Sequence, residues 1–216
     1  MKNKLIISIL IIFVAVACST TTKITGSWVA EGYTPKTDFK KIAVITLANN
    51  QSNKLIIENT FVNRLKFLGY DATGTSSFIV PEIVTKENAK MIDKMMKERG
   101  IDAVMVLSLL QVKDDVKYVP GSSAYAPRPY YGGYYGYYYY NYNHMYEPGY
   151  YEKTQSLFLE CNFYDLNDGK LVASIQTQTI DPANIDDLAL SYSETILKKL
   201  ISDKIIINKN SKHESK

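Results

Sequence analysis

Lys41-Ile42-Ala43-Val44-Ile45-Thr46-Leu47 is a short, nearly unbroken apolar run rich in β-branched residues, and its reading decides the fold. Seven such residues bounded by polar chain predict a strand buried on both faces. The sequence after it supplies helices to pack against it.

Immediately downstream, polar Asn49 to Asn53 hand over to a helical pattern. Ile57, Phe61, Leu65 and Leu68 fall on one face, and Gly69 stands at the expected C-terminal stop. Tyr70 to Thr75 predicts a short second strand, and Pro81 a turn. A second helix follows from Thr85 or Lys86 to Arg99, turning Ala89, Ile92 and Met96 inward, with Gly100 ending it. Met91, Met95 and Met96 at helical spacing are core filler before they are a soft-metal site. Ile101 to Val112 is the third and longest strand, its alternate residues able to face two different layers. The order strand, helix, strand, helix, strand predicts an α/β architecture with a mixed sheet of about five strands and three helices.

The remaining elements follow the Tyr-rich segment described below. Leu157, Leu159, Cys161 and Phe163 alternate with Phe158, Glu160, Asn162 and Tyr164, which predicts a strand over Glu152 to Leu166 with one wetter face. Cys161 lies in the apolar register and is expected to be buried. Asp165-Leu166-Asn167-Asp168-Gly169-Lys170 contains an Asp-Gly step that favours a hairpin. Its partner strand runs from Leu171 to Ile180. Asn184 is placed to cap a last helix with Ile185, Leu188, Tyr192, Ile196 and Leu200 as its stripe. Asp186 and Asp187 in its first turn and Lys198 and Lys199 near its end match the helix dipole. Ile205 to Ile207 add a short strand or pack as an extension of it, and Asn208 to Lys216 are expected to fray.

Between Tyr118 and Tyr151 lie fourteen of the eighteen tyrosines, mixed with Gly, Pro and Asn. This stretch is nearly free of aliphatic residues, so it is expected to be a long loop inserted at 118–153 with no core of its own. Tyr130, Tyr131, Tyr134, Tyr135, Tyr137, Tyr138, Tyr139 and Tyr140 are its densest part and the candidate partner-binding residues. Tyrosine joins an apolar face to a polar tip, which suits protein surfaces, glycans or a lipid interface. A plain low-complexity connection is the competing account.

At the other end of the chain, Lys2 and Lys4 precede an apolar run from Leu5 to Ala17, and Ala15-Val16-Ala17 precede Cys18. A basic start, an apolar stretch and small residues at a cut point predict a signal peptide over 1–17. The thirteen residues from Leu5 to Ala17 fall short of the roughly 20 that cross a bilayer as a helix. The pattern resembles the lipobox of bacterial lipoproteins, with Ala15 where a large aliphatic residue is usual. The resemblance implies that Cys18 becomes the acylated first residue. It also implies an outer-membrane address, since Ser19 is not a retention aspartate, with the periplasmic face preferred to the cell surface. Residues 18–38 are then the lipidated cysteine and a tether, and 39–207 a single α/β domain. Trp28, the only tryptophan, is expected to pack on the domain edge.

Removing 1–17 takes away Lys2 and Lys4, so the formal charge falls from +3 to +1. With lysines dispersed among acids there is no basic patch for nucleic acid. With Cys18 acylated, Cys161 is left without a disulfide partner. The two histidines, His144 and His213, sit in the tyrosine segment and the tail, so no metal site or catalytic base is expected. No Gly-rich phosphate loop or nucleophile elbow is present, and no cofactor is expected. Asp114-Asp115, with Asp165 and Asp168 as turn carboxylates facing water, form no catalytic pair.

Lys40-Lys41-Ile42-Ala43-Val44, Phe67-Leu68-Gly69-Tyr70, Gly100-Ile101-Asp102-Ala103-Val104 and Phe163-Tyr164-Asp165-Leu166 together resemble small envelope lipoproteins with an α/β domain of the TolB amino-terminal or curli-secretion type. That resemblance implies fold more than function. The function expected is a non-catalytic binding or assembly role at the membrane, with an envelope protein as partner. A glycan or peptidoglycan binder is the alternative, and an enzyme comes last.

Overall fold

A computed structural model describes residues 20–33, 39–80, 88–119 and 150–210. The elements in order are β1 (Thr22–Val29), β2 (Lys41–Leu47), α1 (Gln51–Phe67), β3 (Asp71–Gly74), a 3₁₀ turn (Thr75–Ser77), α2 (Ala89–Glu98), β4 (Ala103–Val119), β5 (Tyr150–Asp165), β6 (Lys170–Ile180) and α3 (Ile185–Ser202). The fold is α/β, with one six-stranded mixed sheet in the order β1-β6-β5-β4-β2-β3. β2 is parallel to β3 and β4, and β1 is antiparallel to β6.

As its sequence requires, β2 is buried on both faces. Ile42 and Val44 join Phe61 and Leu65 of α1 and Tyr192, Ile196 and Leu200 of α3 in the larger core. Ala43 faces the other way, into a smaller cluster with Ile79, Met96 of α2, Ile101 and Val104. β4 divides in the same manner, with Met105 and Leu107 in the first core and Val104 in the second. The edge-on pairs Phe39–Phe163 and Phe61–Tyr192, with centroids 5.4 Å and 5.3 Å apart, knit the larger core.

The predicted N-cap of the last helix is present, and α1 carries one as well. Asn184 accepts from the Asp187 amide at the start of α3, and Asn50 from the Asn53 amide at the start of α1. Gly69 and Gly100 end α1 and α2 in the left-handed region, with φ of 89° and 70°. The strands enclosing the tyrosine-rich segment reach further into it than expected, to Val119 and from Tyr150. Residues 113–156 form a separate compact unit from residues up to 112 and from 157 onward. Within that smaller unit, Gln155 Nε2 donates to Asp114 Oδ1 at 3.0 Å.

Three expectations are corrected. The tether placed at 18–38 contains β1, which makes the sixth strand of the sheet. Asp165 is buried rather than wet, its Oδ1 accepting from both the backbone amide and the side-chain amide of Asn167 at 2.9 Å. Asn208 to Asn210, placed in a fraying tail, are tied down. The Lys209 amide donates to Leu68 O, Lys209 Nζ donates to Phe39 O, and Asn210 Nδ2 donates to Phe67 O.

Candidate functional site

Cys18 and the eight tyrosines from Tyr130 to Tyr140 named above lie outside the described residues, as do His144 and His213. What the structure does place is the strand that begins four residues after Cys18 and the chemistry of the body.

β1 is an edge strand, and among the described residues no strand pairs with its outer side. Its register runs from Thr22 opposite Thr179 to Val29 opposite Ala173, with a bulge between Ile24 and Gly26. Trp28 stands opposite Ser174 and is 50% exposed. The indole is therefore half covered at the sheet edge and half left in water, where it offers unburied apolar area.

On β6, Ala173, Ile175, Thr177 and Thr179 are buried toward the helices, so Ser174 and Gln176 belong to the opposite face. Met96 and Ile92 of α2 pack with Ala43 of β2 and Val104 of β4 in the smaller cluster. Over β5 and β6 the opposite face carries a polar ladder, in which Gln176 Nε2 donates to Glu160 Oε1 and Asn162 Nδ2 to Glu160 Oε2, each at 3.0 Å. Trp28 borders this ladder through its pairing with Ser174.

Where β1 begins, every hydrogen-bonding group of Thr22 is engaged. Its amide donates to Ser191 Oγ at 2.8 Å, its hydroxyl accepts from Ser191 Oγ at 2.9 Å and pairs with Thr179 Oγ1 at 2.7 Å, and its carbonyl accepts from Thr195 Oγ1 at 3.3 Å. A groove of about 390 Å³ opens beside this staple, between Thr20–Thr22 and α3. Asp187 and Glu194 line it, but Glu194 is held by Lys198 and by Arg64. Those contacts, Lys198 foremost, hold the Glu194 carboxyl below its ordinary range, which is unsuited to a general acid.

A second cleft, about 620 Å³, lies between Phe39, Lys40, Lys97, Asp102 and Leu166. Its one carboxylate is already committed: Asp102 accepts from the amides of Lys40 at 2.8 Å and Lys41 at 3.0 Å, locking the start of β2 to that of β4. Cys161 is buried, and burial, with Glu160 adding to it, pushes its thiol well above the ordinary range. Such a thiol is inert. Among the described residues no three His, Cys, Asp or Glu side chains gather as metal ligands, and no helix is long and apolar enough to cross a membrane.

The buried polar residues that organise this body gave no signal in the sequence. Glu58, in the middle of α1, is 1% exposed. Its Oε1 accepts from the Thr46 amide at 3.1 Å and from Thr75 Oγ1 at 3.4 Å, and its Oε2 from the Ser76 amide at 3.1 Å. It thus ties the end of β2 to the turn after β3. A glutamate is ordinary in a helix, so only the assembled fold reveals it.

No protein-family model and no curated protein sequence matches the chain. Among solved structures it is similar to the PelC dodecamer subunit from Paraburkholderia phytofirmans, at 10% identity over 80% of this chain and 91% of that one, with a TM-score of 0.40. It is also similar to the lipoprotein GNA1162 from Neisseria meningitidis, at 11% identity over 76% of this chain and 99% of that one, with a TM-score of 0.39. A PDZ domain protein from Parabacteroides distasonis aligns at 12% identity over 83% of this chain and 36% of that one, with a TM-score of 0.36. Likeness at this level carries no activity, partner or assembly across to this chain.

Proposed function

We propose that this chain is a lipid-anchored bacterial envelope protein with a non-catalytic binding or assembly role, held through an acylated Cys18 on the periplasmic face of the outer membrane. The observation that supports the binding role best is β1, an edge strand with its outer side unpaired among the described residues and with Trp28 half exposed. An open edge offers backbone donors and acceptors for strand addition, and an indole beside it supplies an apolar anchor. The partner on this reading is another envelope protein presenting an extended segment.

Cross-linking in intact cells tests it. A partner captured by the native protein and lost with Trp28→Ala, at unchanged abundance, supports the role of β1; capture unaffected by Trp28→Ala rejects it. Fatty-acid labelling abolished by Cys18→Ala tests the anchor separately.

A second reading, binding of cell-wall glycan, is favoured by the placement of Trp28 beside the Gln176–Glu160–Asn162 polar ladder, since sugar faces stack on indole and their hydroxyls pair with amides and carboxylates. Failure to sediment with purified peptidoglycan removes it.

A further inference from the structure

We propose that the domain rides on a short leash, with the corner formed by the start of β1, the end of β6 and the first half of α3 set against the phospholipid headgroup layer. This rests on the lipid-anchor reading of Cys18 and adds an orientation to it. Four peptide steps separate Cys18 from Thr22. Even fully extended, they reach only about 14 Å at 3.3–3.6 Å per residue.

Thr22 is no free end. Its amide, hydroxyl and carbonyl are all bonded to Ser191, Thr179 and Thr195, on β6 and α3. The leash therefore ends on a rigid point, and the domain cannot wander from the bilayer as it would on a tether running to residue 38. β6 runs from Lys170 to Ile180, so the hairpin end of the sheet lies about 33 Å from the stapled end at roughly 3.3 Å per residue. Upright, that end stands well beyond the headgroups.

The stapled corner also has the apolar character a headgroup layer accepts. Leu190, which lines the groove beside Thr20–Thr22, is 48% exposed, and Ile180 at the end of β6 is 44% exposed. Lys23 and Lys198 are close by, but so are Asp181, Asp186, Asp187 and Glu194. The corner has no positive excess, so the apposition comes from the leash and the aliphatic side chains and not from anionic lipid.

The test uses the full lipoprotein purified from membranes and reconstituted in phosphatidylcholine vesicles carrying a headgroup-linked fluorescence quencher. A fluorophore is placed on Leu190→Cys or, separately, on Lys170→Cys; buried Cys161 does not compete for label. Severalfold stronger quenching at position 190 than at 170 is expected, with the difference retained in vesicles containing anionic lipid. Inserting a ten-residue Gly/Ser linker between Ser19 and Thr20 is expected to erase it. Bound protein quenched equally at both positions, or a difference that survives the linker, overturns the orientation alone. Protein that is never acylated and does not bind vesicles overturns the anchor and the orientation together.

Discussion

Gly74 lies directly against Glu58: a β-carbon at position 74 would stand 2.8 Å from Glu58 Oε2 and 3.3 Å from Glu58 Cβ. The carboxylate cannot swing aside, because its two oxygens hold the amides of Thr46 and Ser76. Gly74→Ala is therefore expected to destabilise by about 1–3 kcal/mol through overpacking. Glu58→Ala strands two backbone amides and is expected to cost about 3 kcal/mol or more. In the double variant the removed carboxylate makes room for the new methyl, so the costs fall short of additive. Urea unfolding of the four proteins forms the cycle that checks this, and strict additivity would show that the two residues do not meet.

Removing the hydroxyl that holds the start of the sheet has a defined cost. Ser191→Ala takes away the acceptor of the Thr22 amide and the donor to its hydroxyl. A loss of about 1–3 kcal/mol of unfolding free energy is expected, read as a lower urea midpoint, the range for polar groups left unmatched. Faster hydrogen exchange localised to β1 would accompany it.

Tyr192 gives a prediction of the opposite sign. Its ring is fully buried edge-on to Phe61, yet its hydroxyl has no hydrogen-bond partner among the described residues. Tyr192→Phe keeps the ring and deletes the stranded group. The variant is expected to be as stable as the native protein or more so, by up to about 1–3 kcal/mol. A lowered melting temperature would mean that the hydroxyl is satisfied after all.

Alkaline pH acts through Cys161. Burial raises the folded thiol above its ordinary value, whereas in the unfolded chain it titrates near about 8.5. Below that pH both states hold the proton and stability is unaffected. Above it the unfolded chain releases a proton that the folded chain keeps, so stability falls by up to about 1.4 kcal/mol per pH unit. The urea midpoint of the Cys18→Ala protein is expected to hold steady up to about pH 8.5 and to fall as the pH rises beyond it. With Cys161→Ala added, the midpoint starts lower and the slope from this thiol disappears. Labelling by a thiol reagent should occur only in denaturant.

The central strands were legible from their apolar runs, and the helices because apolar residues recur along one face and Asn184, Gly69 and Gly100 mark their ends. β1 was not. Its residues Lys23, Thr25, Ser27, Trp28 and Val29 are exposed, so Thr22–Val29 has no inward-outward alternation to read. An edge strand that gives only one threonine to the core looks like linker. The polar clamps were invisible for another reason. Thr22, Glu58 and Asp165 acquire their partners by folding, and Thr22 bonds across 157 positions to Thr179. Surface bearing on function was half legible: Trp28 stood out by its rarity, but its setting beside the β6 ladder needed the register.

The distance along the chain between β1 and β6 has a consequence for biogenesis. The first strand has its sheet neighbour in the final hairpin, and its staple on the helix after that. A chain emerging amino terminus first cannot close this sheet until nearly all of it has been delivered, so β1 must wait as an unpaired ribbon while the middle of the protein forms. Docking of the first strand is then a late assembly step, and a chain cut short before Lys170 would display that ribbon permanently, a ready tag for quality-control proteases.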